Sequence, residues 1–139
     1  MVTRLAVDAP AVLHLLEVGL APSHPLVGTA ALRSQVLHLL LAAVRDGRLE
    51  EERALALHED LTALRVRLLG DRVSRRTAWR LAREHGWATA DAEVVAVALL
   101  QADALVSGDA RLRGLAAGVV PLAPLETLVA PDGDPADAP

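Results

Sequence analysis

The chain has 139 residues, a net charge of −4 and 53% hydrophobic residues, and it contains no cysteine. This excludes a disordered chain, a disulfide scaffold and thiolate metal sites, and it fits one domain with a buried core. All 14 basic residues are arginine, which excludes a P-loop and tells against the receiver and haloacid-dehalogenase arrangements, where a lysine stands beside strand-end aspartates. No GxGxxG is present to support a dinucleotide fold. Phe and Tyr are absent and Trp79 and Trp87 are the only tryptophans, so the core must be built from Leu, Val and Ala. Arg4 and Asp8 interrupt the first apolar stretch, and apolar runs such as Leu39 to Val44 are far too short to span a bilayer. A soluble, cytoplasmic protein is expected, with no global attraction to nucleic acid.

Leu5 to Val7 reads as a short strand. Pro10 suits the first turn of a helix that continues through Val12, Leu13, Leu15 and Leu16 and breaks at Gly19 and Pro22. Pro25 to Thr29 reads as a second strand. Ala30 to Val44 reads as an apolar helix with Arg33, Ser34, Gln35 and His38 as its polar positions. Leu49 to Leu64 is a helix opening on Glu50, Glu51 and Glu52, where negative charge suits the helix dipole. Leu64 to Leu69 alternates apolar residues with arginine, as a strand with one exposed face would. Val73 to His85 is an amphipathic helix stopped by Gly86, and Ala90 to Leu100 a buried one. Ala104 to Val106 is a strand, Ala110 to Ala116 a short helix and Val119 to Leu122 a last strand. Strands alternating with helices predict an α/β fold: three layers, α/β/α, around a central, mainly parallel sheet. The Pro- and Asp-rich segment 129–139 is expected to be a disordered tail on a domain spanning 1–128.

Two stretches, RLAVDAPAVLHLL and LVSGDARL, each end a strand with an acid, Asp8 and Asp109. In an open parallel sheet, ligands collect beyond the carboxyl ends of the strands. A third acid, Asp91 in ATADAEVVAVALLQ, projects from the first turn of an otherwise apolar helix. Each alone reads equally well as a helix cap. Together they predict a shared cleft, and three converging carboxylates repel one another unless a cation is present. Oxygen ligands without Cys point to Mg²⁺ or Mn²⁺, which can activate water for displacement at phosphorus.

The order VDAPAVLHLL, RSQVLHLL, TADAEVVAVALL, LVSGDARL resembles the PIN-domain ribonucleases, in particular the VapC-type toxins of bacterial toxin–antitoxin pairs. The resemblance covers roughly residues 3 to 128. It implies a PIN-like domain, metal-dependent endoribonuclease activity on RNA, and as partners a VapB-like antitoxin and a second copy of the chain. The family's metal quartet falls on Asp8, position 35, Asp91 and Asp109, and Ser107 matches the Thr/Ser that orients the neighbouring acid. Position 35 departs from the family: Gln35 replaces Glu, keeping a carbonyl oxygen without the charge. That favours weak metal binding, and it keeps open an alternative, a PIN-like RNA-binding or protein-interaction module without nuclease activity. Glu93, about 200° around the helix from Asp91, and Glu17 are poor substitutes.

Arg72, Arg76, Arg80 and Arg83 repeat at helical spacing. One reading is a solvated face with salt bridges to Asp71 and Glu84; the other is a rim that contacts RNA phosphates. A DNA-reading helix has no preceding helix-turn to support it. The five histidines show no ligand spacing, although His38 falls three residues after Gln35 and shares its face.

Overall fold

The computed structural model describes residues 3–130. In chain order the elements are β1 (Leu5–Val7), α1 (Ala9–Val18), β2 (Leu26–Thr29), α2 (Leu32–Arg45), α3 (Glu51–Ala63), β3 (Arg67–Leu69), α4 (Arg72–His85), α5 (Thr89–Gln101), β4 (Ala104–Val106) and α6 (Ala110–Ala116), followed by a 3₁₀ turn at Leu125–Val129. The four strands form one parallel sheet in the order β3-β2-β1-β4. Among the described residues no helix is long and apolar enough to cross a membrane.

The strands are short; β1 and β2 are buried on both sides while the edge strand β3 is partly exposed, and the side-chain period of two sorts their apolar residues into two cores. Leu5, Val7, Leu26 and Val106 pack with α1, α2 and α3. Ala6, Val27 and Leu105 pack with α4, α5 and α6. The result is the expected three-layer α/β/α arrangement. With Phe and Tyr absent, close approach replaces bulk: Ala92, Val95, Ala96 and Val97 bring α5 directly onto the sheet, and all are at most 2% exposed.

Helix ends follow the punctuation in the sequence. Gly19 and Gly86 take left-handed conformations, φ 76° and 70°, at the ends of α1 and α4, where a side chain would be strained. Pro10 occupies the first turn of α1.

One expectation needs correction. Val119 to Leu122 is not a strand: only Leu122 forms an isolated parallel bridge with Leu105. Leu105 donates its N–H to Pro121 O and accepts from Ala123 N–H, but Pro121 has no N–H to extend a ladder. The described chain continues past the expected boundary at 128. Val129 belongs to the 3₁₀ turn, its carbonyl accepts from Ser23 Oγ at 2.8 Å, and the Ala130 carbonyl meets His24 Nε2. The rest of the expected tail, 131–139, lies outside the described residues.

Candidate functional site

The strand order changes direction at β1. The chain leaves β1 for β2 and β3 on one side, then returns to place β4 on the other. Such a switch point opens a crevice at the carboxyl ends of the two strands that flank it, here β1 and β4. Here that crevice is lined by Asp8, Pro10, Gln35, His38, Asp91 and Asp109, around a cavity of about 360 Å³. Asp8, Gln35, Asp91 and Asp109 come from four separate stretches of sequence and meet at this one place.

Register explains the first pair. Val7 lies opposite Val106, so Asp8 and Ser107 leave the sheet side by side. The buried Asp8 carboxylate is held from three directions. Its Oδ1 accepts from Ala11 N–H at 2.9 Å, which caps α1, and from Gly108 N–H at 3.0 Å, while its Oδ2 accepts from Ser107 Oγ at 2.5 Å. Ser107 Oγ also accepts from Asp109 N–H at 3.0 Å, linking the two strand-end acids through one hydroxyl. Gly108 is required by space. A Cβ there would stand 2.8 Å from the Pro10 carbonyl carbon and 2.9 Å from Ala11 N.

Asp109 caps α6, accepting from Arg111 N–H at 2.9 Å. Asp8 and Asp109 are therefore both caps and pocket residues, so the two readings of each coexist. Asp91 is different. The N-cap of α5 is Ala88, and Asp91 sits in the first turn making no side-chain cap. Its partner is Arg111, a residue that motif reasoning passed over. The guanidinium binds Asp91 in a fork, 2.9 Å to each oxygen, and reaches Asp109 Oδ2 at 3.4 Å. The hydrogen bonds and charge of Asp91, then the charge of Asp109, hold the Arg111 pKa above its ordinary value, so it stays cationic at any working pH. One signal was readable in D-A-R: an arginine in a helix's first turn opposes the dipole and needs an acid nearby.

Gln35 and His38 line the cavity from α2 together with Ser34. Glu93 lines a different pocket with Thr29, Ser74 and Arg75, and Glu17 is exposed near the end of α1.

As arranged, no three His, Asp or Glu side chains among the described residues are grouped to hold a metal ion. The reason is visible: a guanidinium bridges two of the acids, and Asp8 is turned onto N–H and O–H donors. The donor chemistry nevertheless fits a hard divalent ion. It consists of carboxylate and amide oxygens around one cavity, and the protein's own cation sits where a positive charge is favoured. Arg111 is 61% exposed against 15% for Asp91, so solvent screens the guanidinium's side of the pair.

The arginines of α4 form an exposed face. Arg72, Arg76, Arg80 and Arg83 are all exposed on α4. The expected salt bridges are absent: among the described residues none of the four has an ion-pair or hydrogen-bond partner. Asp71 instead caps α4, accepting from Ser74 N–H at 2.9 Å, and that bond holds its carboxyl below its ordinary value.

No family model matches the chain, and no curated protein matches it. Among solved structures it is similar to the crystal structure of PAE2754 from Pyrobaculum aerophilum, with 23% sequence identity, a TM-score of 0.68, and coverage of 93% of this chain and 96% of that one. At that identity the likeness carries the fold alone.

Proposed function

We propose that the protein is a metal-dependent endoribonuclease of the PIN-domain, VapC-like type, acting on RNA phosphodiester bonds with Mg²⁺ or Mn²⁺. The observation that carries the reading is the meeting of Asp8, Gln35, Asp91 and Asp109 in one cavity at the switch point of a parallel sheet. Asp8, Asp91 and Asp109 would hold the ion, with the Gln35 carbonyl as a neutral ligand or outer partner. Bound there, a divalent ion supplies activation of water and charge neutralisation at phosphorus. Ser107 keeps Asp8 oriented through the 2.5 Å bond. Arg111, once displaced from Asp91, is left on a flexible stem beside the cavity, suited to a phosphate oxygen. A VapB-like antitoxin, a second copy of the chain and a cytoplasmic location belong to the same proposal.

A second reading is favoured by Arg111 together with Gln35. One acid of the family pattern is a neutral amide, and two others are already matched by a guanidinium. A PIN-like module that binds RNA or protein without hydrolysis fits those two facts. RNA cleavage measured across a Mn²⁺ titration separates the readings. The nuclease reading expects slow cleavage that rises with Mn²⁺, is lost in Asp8→Asn and is raised in Gln35→Glu. Absence of cleavage in both the natural chain and Gln35→Glu favours the second reading.

A further inference from the structure

Trp79 is 67% exposed, a large apolar ring in solvent, and it has unusual neighbours. At 100° per residue, the buried positions of α4, Ser74, Ala78 and Leu81, form one stripe. Arg72, Arg76, Trp79 and Arg83 fall on the opposite side, with Arg80 at its edge. Val73, Arg76, Thr77, Trp79 and Arg80 line a surface depression of about 680 Å³ there. The other tryptophan is accounted for: Trp87 is half-buried and stacks on His85, ring centroids 4.4 Å apart. Among the described residues Trp79 has no ring partner, and four of the arginines around it have no acid.

We propose that this face of α4 is a binding ridge for single-stranded nucleic acid, with Trp79 stacking on a base and Arg72, Arg76, Arg80 and Arg83 contacting the phosphates on either side. An exposed aromatic surface alone would fit many occupants. The charge selects one. In a chain of net charge −4, four guanidiniums on one helix face with no acid among the described residues call for a polyanion, and an unstacked base supplies the flat partner that a solvent-exposed indole lacks. A duplex hides its bases and cannot use Trp79. The helix is also well placed, beginning two residues after β3 at the carboxyl edge of the sheet and leading by a three-residue link into α5, which carries Asp91. The choice of RNA over DNA rests on the nuclease reading; the binding itself does not.

The test uses the full chain carrying Trp87→Phe, so that Trp79 is the only indole, titrated with a short oligouridylate in EDTA so that cleavage plays no part. The expected result is saturable quenching of Trp79 fluorescence, with an affinity that falls as salt rises. By anisotropy of labelled oligonucleotide, Trp79→Ala should bind about 5- to 150-fold more weakly. Arg76→Gln and Arg80→Gln should each lower the salt slope by about 0.7. Three outcomes overturn the proposal: no quenching, equal binding by Trp79→Ala, or equal quenching by duplex RNA. A concentration-dependent dimer that Trp79→Ala dissociates, with RNA affinity unchanged, would reassign the face to a second copy of the chain. Because no metal is present, failure here leaves the nuclease reading standing, and failure of cleavage leaves the ridge standing.

Discussion

Asp8 and Arg76 both carry charge, and the protein treats them in opposite ways. Asp8 is 5% exposed, and its carboxylate is fixed by two N–H groups and a hydroxyl from both ends of the chain. Arg76 is exposed and touches no acid among the described residues. In the pocket the functional groups are also structural groups, so the fold and the site cannot be altered separately. On α4 nothing in the described chain hydrogen-bonds or pairs with the guanidiniums of Arg72, Arg76, Arg80 and Arg83, in contrast to that of Arg75, which donates to the Gly70 carbonyl, so those four can be changed without consequence for the core. The comparison makes a general expectation: pocket substitutions cost stability and activity together, whereas ridge substitutions cost binding alone.

The largest effect should come from Asp8→Ala. It removes a helix cap and leaves the Gly108 N–H and the buried Ser107 hydroxyl without their acceptor. Charge-assisted bonds and a cap of this kind, offset by relief of a buried charge, amount to about 2–4 kcal/mol. Urea unfolding measures it, and a loss under about 0.5 kcal/mol, the range of ordinary surface changes, would break the claim that Asp8 is structural. Next is Gly108→Ala. The added Cβ meets the backbone of Pro10 and Ala11 at 2.8–2.9 Å, and backbone does not yield as a side-chain tip would. Overpacking of about 1–3 kcal/mol is expected, together with displacement of Asp8 and loss of cleavage. An alanine variant of natural stability would show that the Gly108 loop moves freely, and that the Asp8 clamp is looser than its distances imply.

Arg111 stands between the two regions, exposed like the ridge yet paired like the pocket. Arg111→Gln should change unfolding little but leave Asp91 and Asp109 without their counter-charge. Calorimetric titration with Mn²⁺ should then show binding tightened several-fold relative to the natural chain. Equal or weaker binding would mean that the guanidinium does not compete for the ion's place. Acidification does not release Arg111, whose pKa is raised.

Much of this was legible because glycine, proline and caps punctuate the chain. Gly19, Gly86 and Pro10 mark helix ends that the structure repeats within a residue or two. The convergence of the acids was legible because strand ends in a parallel sheet share one edge, so order along the chain becomes proximity in space. Three features were not. Val119 to Leu122 has strand composition, but one proline decides whether a ladder forms, and propensity does not see hydrogen-bond partners. Arg111 belongs to no acid motif, and its pairing with Asp91, 20 residues away, depends on how α5 and α6 meet. Periodicity grouped the arginines but could not say whether Asp71 and Glu84 would neutralise them; Asp71 is taken by the cap of α4.

The smallest effect is the sharpest test of the ridge, because it has the unexpected sign. Arg76 lies four residues from both Arg72 and Arg80, and like charges at that spacing destabilise a helix by about 0.2–0.5 kcal/mol per pair. Glutamine has nearly the helix propensity of arginine and no charge. Arg76→Gln should therefore stabilise the protein, by about 0.4–1 kcal/mol for the two pairs together. Exposed charges are screened within ~3 Å at 1 M salt, so the gain should vanish there. Urea midpoints at low and high salt, with an unchanged slope, measure both quantities. A helix that would be more stable without a charge, yet carries it, keeps that charge for something outside the fold. If Arg76→Gln instead destabilises at low salt, the guanidinium has a stabilising partner within the chain, and the contrast between pocket and ridge fails at its central residue.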